Sequence, residues 1–160
     1  MNYRQPLWPA GEEPAPAILT AIGMADIVKF SREELDAVFG EGAELSAELV
    51  AEGVQLLLIS DGSEPLLAHC PGRTFTVQPP SVQAKDTTAA GDSFVAGLLY
   101  RISGQVNGNT GFSQWLEQPG NPEAALAFAA RCGAFAAMHY GAFDALPTPQ
   151  QLQHLVPEIS

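Results

Sequence analysis

Lys85-Asp86-Thr87-Thr88-Ala89-Ala90-Gly91-Asp92 runs directly into Ser93-Phe94-Val95-Ala96-Gly97-Leu98-Leu99-Tyr100. A turn of polar and small residues passes without a break into an apolar segment. Phe94, Leu98 and Ile102 repeat at helical spacing, with Val95 and Leu99 beside them. The spacing predicts a helix that starts near Gly91. The first amides of a helix have no acceptor inside it and point at whatever precedes it. Ala89, Ala90 and Gly91 let a ligand approach those amides closely, and the helix dipole favours a negative one. Asp92 would stand in the first turn, a carboxylate beside an anion site. That pairing suits phosphate handled next to a base. An Asp-Thr-Thr segment before a helix is also common as a start that caps itself and does nothing more.

The chain has 160 residues, enough for one domain with a real core. Hydrophobic residues make up 46% and charged residues 16%, a globular balance. The net charge of −11 repels nucleic acid and anionic membrane, so neither is expected as a partner. Cys70 and Cys132 lie far apart and form no C-x-x-C pattern, so buried, reduced thiols in a cytoplasmic protein are expected. His69, His139 and His154 show no metal-ligand spacing. No apolar run is long enough to span a membrane. The chain opens Met-Asn-Tyr-Arg-Gln-Pro, without the apolar stretch of a signal peptide.

Residues 1–16 read as an irregular lead-in whose Leu7 and Trp8 need a partner surface. Residues 15–24 read as a helix and 26–30 as a buried strand. Ser31-Arg32-Glu33-Glu34 is a capping box that opens a helix through Phe39, stopped by Gly40. A further helix is expected over 43–52. Val54–Ile59 is apolar apart from Gln55 and predicts a strand buried on both faces. Ser60–Ser63 form a turn. Leu66–His69 and Thr74–Val77 form strands around Pro71-Gly72. Residues 103–122 read as a loop with one helical turn at 113–117. Residues 123–140 read as a long helix with a small-residue face, stopped by Gly141. A short helix is expected over 149–156. Strands alternating with helices predict an α/β layering with a mainly parallel sheet. No internal repeat and no second domain are evident.

Together these landmarks resemble the ribokinase-like (PfkB) family of carbohydrate kinases, and within it the fructokinase-like branch. Asp86-Thr87-Thr88-Ala89-Ala90-Gly91-Asp92 is similar to the family signature D-T-x-G-A-G-D. Asn2-Tyr3-Arg4 with Leu7-Trp8 resembles an N-Y-R…L-W segment. Ala25–Leu35 resembles A-D-I-V-K-x-S-x-x-E-L, and Cys132-Gly133-Ala134 with Gly141-Ala142 and Ala145–Thr148 resembles the C-terminal end. The resemblance implies a three-layer α/β/α sandwich. It makes residues 1–160 one partial kinase domain, the C-terminal, nucleotide-binding half, with the lid and most sugar contacts absent. Such a cut sheet would leave an open edge, favouring association as a homodimer or with another chain.

The resemblance also implies roles. Asp92 would be the general base that takes a proton from a sugar hydroxyl. The amides of Ala89, Ala90 and Gly91, with that of Asp92, would be the anion hole for the transferring phosphoryl group. Ser60 and Gly62 fall on the nucleotide-binding T-x-G-x-x-G turn, and Cys132, Gly133 and Gly141 would line the adenine pocket. Asp86 and Thr88 fall where some members bind a monovalent cation such as K+. The substrates would be ATP, with Mg2+, and a sugar. The chain departs from the family pattern at three places: Ala89 for the first Gly of G-A-G-D, Pro65 for the second Gly of T-x-G-x-x-G, and Arg32 where many members carry Glu. At Ala89 a positive φ would cost about 1–2 kcal/mol, and a negative φ nothing. Three readings stay open: the ATP-binding half of a kinase, impaired alone; a complete small sugar kinase; and a non-catalytic nucleotide- or anion-binding or interaction module.

Overall fold

The computed structural model describes residues 3, 5–9, 11–41, 53–106 and 110–152. The chain divides into two compact units, Met1–Thr76 and Val77–Ser160.

In the first unit a short 3-10 turn (Gln5–Leu7) precedes helix α1 (Pro14–Ile22), strand β1 (Ile27–Ser31) and helix α2 (Arg32–Phe39). Pro opens α1, where its missing N–H is lost at no cost. Ser31 ends β1 and caps α2. Its hydroxyl accepts from the Glu34 N–H at 3.1 Å, and Glu34 Oε2 accepts from the Ser31 N–H at 2.9 Å. The expected capping box is therefore present. Glu34 Oε1 also accepts from the Tyr3 N–H at 3.2 Å, which ties the lead-in to the cap. The helix expected over 43–52 lies outside the described residues.

Strand β2 (Leu56–Asp61) pairs parallel to β1, with Ile27 opposite Leu56 and Ser31 opposite Ser60. Gln55, the polar residue of that run, sits just before the strand. Its side-chain amide donates to Asp26 Oδ1 at 2.6 Å. Leu56, Leu57, Leu58 and Ile59 are all buried, as a strand covered on both faces requires. Strand β3 (Glu64–Cys70) returns antiparallel to β2, and β4 (Arg73–Val77) completes a sheet of order β1-β2-β3-β4. The sheet among the described residues is thus mixed rather than mainly parallel. The two-residue turns Gly62-Ser63 and Pro71-Gly72 are too short for a parallel crossover and force antiparallel returns. Pro65 falls where the β2–β3 register shifts, Ile59 opposite Leu67 but Asp61 opposite Glu64. The extra residue on β3 is a bulge, one of the strand positions that tolerates a missing N–H.

One face of this sheet packs on α1 and α2 through Ile18, Ile22, Val28, Phe30, Leu35, Leu57 and Ile59. Tyr3 and Trp8 pack against the same cluster. Trp8 thus has the partner surface the sequence asks for, while Leu7 remains 82% exposed.

The second unit contains α3 (Ala90–Ser103), α4 (Phe112–Glu117), α5 (Asn121–Ala137) and α6 (Pro149–Leu152). Helices α3 and α5 pack through small residues. A Cβ at Gly97 would stand 2.6 Å from Cys132 Sγ, and one at Gly133 would stand 3.0 Å from the Ala90 carbonyl oxygen. A methyl at Gly97 would force a shift, and one at Gly133 would be tighter than ordinary side-chain contacts. Phe94, Leu98 and Ile102 are buried as expected, whereas Leu99 is half-exposed on the far side. Trp115 of α4 is fully buried, and its indole N–H donates to Gln105 Oε1 at 2.6 Å. Both cysteines are free and buried.

Candidate active site

The stretch Lys85–Asp92 turns sharply before α3. Asp86 organises that turn. Its Oδ1 accepts from the Thr88 N–H at 3.0 Å and from the Thr88 hydroxyl at 2.5 Å. Its Oδ2 accepts from the Gly141 N–H at 3.0 Å. The Thr88 hydroxyl, the Thr88 amide and the Gly141 amide, in that order of weight, hold the Asp86 carboxyl below its usual range, because each bond favours the charged form. The backbone N–H groups of Lys85 and Asp86 both reach the Ala137 carbonyl, at 2.7 and 3.2 Å.

Helix α3 begins at Ala90, one residue before the expected Gly91. Ala89 is its N-cap, with φ −104° and ψ 5°, and its side chain makes no cap. The negative φ means the Ala89 methyl group adds no backbone strain. The methyl is also buried, with Ala89 4% exposed. The Ala90 N–H is turned to the Thr87 carbonyl at 3.1 Å, and the Ser93 N–H returns to the Ala89 carbonyl at 2.9 Å. Gly91 and Asp92 lie between these two, and their amides are ones that helix geometry leaves without an acceptor inside α3. Both residues are exposed, and Asp92 is the acidic residue of the first turn. The arrangement offers positive helix-dipole charge, two first-turn amides and a carboxylate within one turn of backbone.

The other candidates are placed as follows. Cys132 and Gly133 face α3 from α5 and are buried there. Burial pushes the Cys132 thiol up to about 11, so it stays a thiol near neutral pH. Its backbone carbonyl accepts from the Ser93 hydroxyl at 2.9 Å. What the structure gives these two residues is a packing role against Gly97 and Ala90. Gly141 takes φ +93°, a conformation that suits glycine, and its N–H is held by Asp86. Ser60 and Gly62 belong to the first unit. The Ser60 hydroxyl donates to the Phe30 carbonyl at 3.4 Å, and Gly62 takes φ +55° in the turn between β2 and β3.

Helix α5 stops at Ala137, not at Tyr140 as its composition suggests. The carbonyl that would accept from the Gly141 N–H in a continued helix is already taken by Lys85 and Asp86. Met138 and His139 instead bond three residues back, to Phe135 and Ala136. Sequence reasoning missed Ala137 and Ser93 as parts of this corner. Ser93, a polar residue inside an apolar run, is the one visible signal. Among the described residues no group of three or more His, Cys, Asp or Glu side chains converges on a metal position. None of the described helices is long and apolar enough to cross a membrane.

The model of the pfkB family carbohydrate kinases matches residues 1–149. The chain is 35% identical over 158 residues to probable fructokinase-5 of Arabidopsis thaliana, covering 97% of this chain and 47% of that one. It is similar in structure to a fructokinase with bound ATP from Xylella fastidiosa, with TM-score 0.88 and 34% identity over 97% of this chain and 49% of that one. An aminoimidazole riboside kinase from Salmonella enterica, complexed with aminoimidazole riboside and an ATP analogue, matches with TM-score 0.81 and 31% identity, covering 96% of this chain and 50% of that one. The chain therefore spans about half the length of the relatives it matches. Its α/β fold is ribokinase-like, and by the extent of the family match the chain belongs to the pfkB family of carbohydrate kinases.

Proposed function

We propose that this chain carries the phosphoryl-transfer corner of an ATP-dependent carbohydrate kinase of fructokinase type. Asp92 is the general base, accepting the proton of a sugar hydroxyl as that hydroxyl attacks the γ-phosphorus of ATP. The first-turn amides after Ala89 form the anion hole, and the α3 dipole adds to it. Ala89, Ala90 and Gly91 supply the close approach. Among the amides from Ala90 to Asp92, that of Ala90 is shared with the Thr87 carbonyl, so those of Gly91 and Asp92 donate most directly. No protein nucleophile is needed, since the hydroxyl attacks phosphorus itself. The observation that carries the reading is an exposed Asp92 one turn into a helix whose start no side chain caps, in a pfkB-family chain.

The nucleotide contacts are assigned to Gly141 and its turn, with Ser60 and Gly62 as further candidates in the first unit. Cys132 and Gly133 support the corner by letting α5 approach α3. Mg2+ fits as a companion of the triphosphate, largely water-coordinated, rather than as a caged ion. A monovalent cation fits Asp86 and Thr88. Oδ2 keeps a free lone pair after its bond to Gly141, and the Thr88 hydroxyl oxygen keeps its own after donating. Such a cation would add positive charge beside the anion hole.

The test is a coupled ADP assay with fructose and MgATP, run on this chain and on its Asp92→Asn variant. ADP release that needs the sugar, and that falls by about 10²–10⁴ in the variant, supports the reading. Release that survives the substitution unchanged contradicts the role given to Asp92. ATP binding without any turnover would instead favour a nucleotide-binding module.

A further inference from the structure

The end of α5 and the start of α3 meet at one residue. In a continued α5 the Ala137 carbonyl would accept from the Gly141 N–H. Asp86 separates that pair. Its own backbone N–H, with that of Lys85, takes the Ala137 carbonyl, and its Oδ2 takes the Gly141 N–H at 3.0 Å. Its remaining oxygen holds Thr88, two residues before α3 begins. One side chain thus reaches across 55 positions of sequence to stop one helix, and it shapes the turn that opens another.

We infer that Asp86 is the positioning residue of this corner, holding the Gly141 turn and the Thr88–Asp92 turn in fixed relation. The inference rests on the nucleotide reading above for its consequence, since those turns are assigned to the nucleoside side and the phosphate side of ATP. The geometry itself stands without it. The two oxygens divide the work. Asp86→Asn keeps an acceptor for Thr88 but turns an NH2 donor toward the Gly141 N–H, so it releases Gly141 alone. Asp86→Ala releases both.

The experiment is NMR on the isotope-labelled full chain. In the wild type, a through-hydrogen-bond coupling is expected between the Gly141 nitrogen and the Asp86 carboxyl carbon. In Asp86→Asn the Gly141 amide exchanges about tenfold faster or more while the Thr88 amide keeps its protection, and in Asp86→Ala both are lost. Dissociation constants for ATP and for inorganic tripolyphosphate are measured alongside, with a bulky organic cation in place of K+ and Na+ so that no cation bound at Asp86 contributes. Asn weakens ATP about tenfold with tripolyphosphate unchanged, and Ala weakens both. A general loss of stability would raise exchange throughout α3 and α5 and weaken both ligands together, and that pattern overturns the inference. So does a missing coupling in the wild type, which needs no variant to fold. If the wild type binds neither ligand, the nucleotide reading fails, and the coupling and exchange pattern decide the positioning role alone.

Discussion

Helices α2 and α3 begin in opposite ways. At α2, Ser31 and Glu34 satisfy each other's backbone amides, and Glu34 has an oxygen left for Tyr3. That start is closed. At α3 the N-cap is Ala89, which has no side-chain oxygen, and the nearest carboxylate upstream faces Thr88 and Gly141 instead. Helix α3 is held by packing on α5, with Gly97 against Cys132, Gly133 against Ala90 and the Ser93 hydroxyl on the Cys132 carbonyl. Capping would have filled the amides that an anion site needs open. The difference teaches how to tell a structural helix start from a candidate functional one. In the first the sequence supplies its own acceptors, and in the second stability comes from elsewhere.

If packing holds α3, Gly97→Ala is the largest single blow to it. The added methyl meets Cys132 Sγ at 2.6 Å, and overpacking of that kind costs about 1–3 kcal/mol, read as a lower midpoint in urea. If caps hold α2, Ser31→Ala costs about 1 kcal/mol in the same measurement and leaves ATP binding untouched. Ala89→Gly sharpens the contrast. With φ already negative there is no strain to relieve, so the substitution destabilises by about 1 kcal/mol or less. A gain of about 1–2 kcal/mol would mean the backbone is strained there after all. The smallest effect is on pH. The folded carboxyl of Asp86 lies below its ordinary 3.8, so its stabilising contribution is full above about pH 4 and is lost as pH falls through the lowered value. The difference in melting temperature between the wild type and Asp86→Asn should therefore shrink on acidification below pH 4.

Much of the local structure was legible in the sequence. The capping box at Ser31, the apolar run into β2 and the helical spacing of Phe94, Leu98 and Ile102 are all short-range signals, and each lands where it points. The residues of Asp86–Asp92 were legible as a turn before a helix. What they do for one another was not. The bond from Gly141 to Asp86 and the capture of the Ala137 carbonyl join distant parts of the chain, so no local period announces them, and α5 ends three residues before the Tyr140 that its composition suggests. Cys132 and Gly133, which the motif suggests for the adenine pocket, also form the contact face for α3, and that was not legible because helix packing depends on which side of α5 they occupy. The mixed sheet follows from two turns of two residues, a signal that was present but outweighed by the strand-helix alternation. Trp115 lies in a segment rich in Gly, Asn and Pro, yet it is a buried anchor once Gln105 accepts its indole N–H.

The most direct test is a titration of the labelled chain with MgATP, followed at the backbone amides of both helix starts. Shifts that saturate at Gly91 and Asp92, with Ser31 to Glu34 unmoved, are the predicted result. Saturating shifts at the α2 start, or none at Gly91 and Asp92 while ATP binds elsewhere, would contradict the assignment of the open start of α3 to the phosphoryl corner.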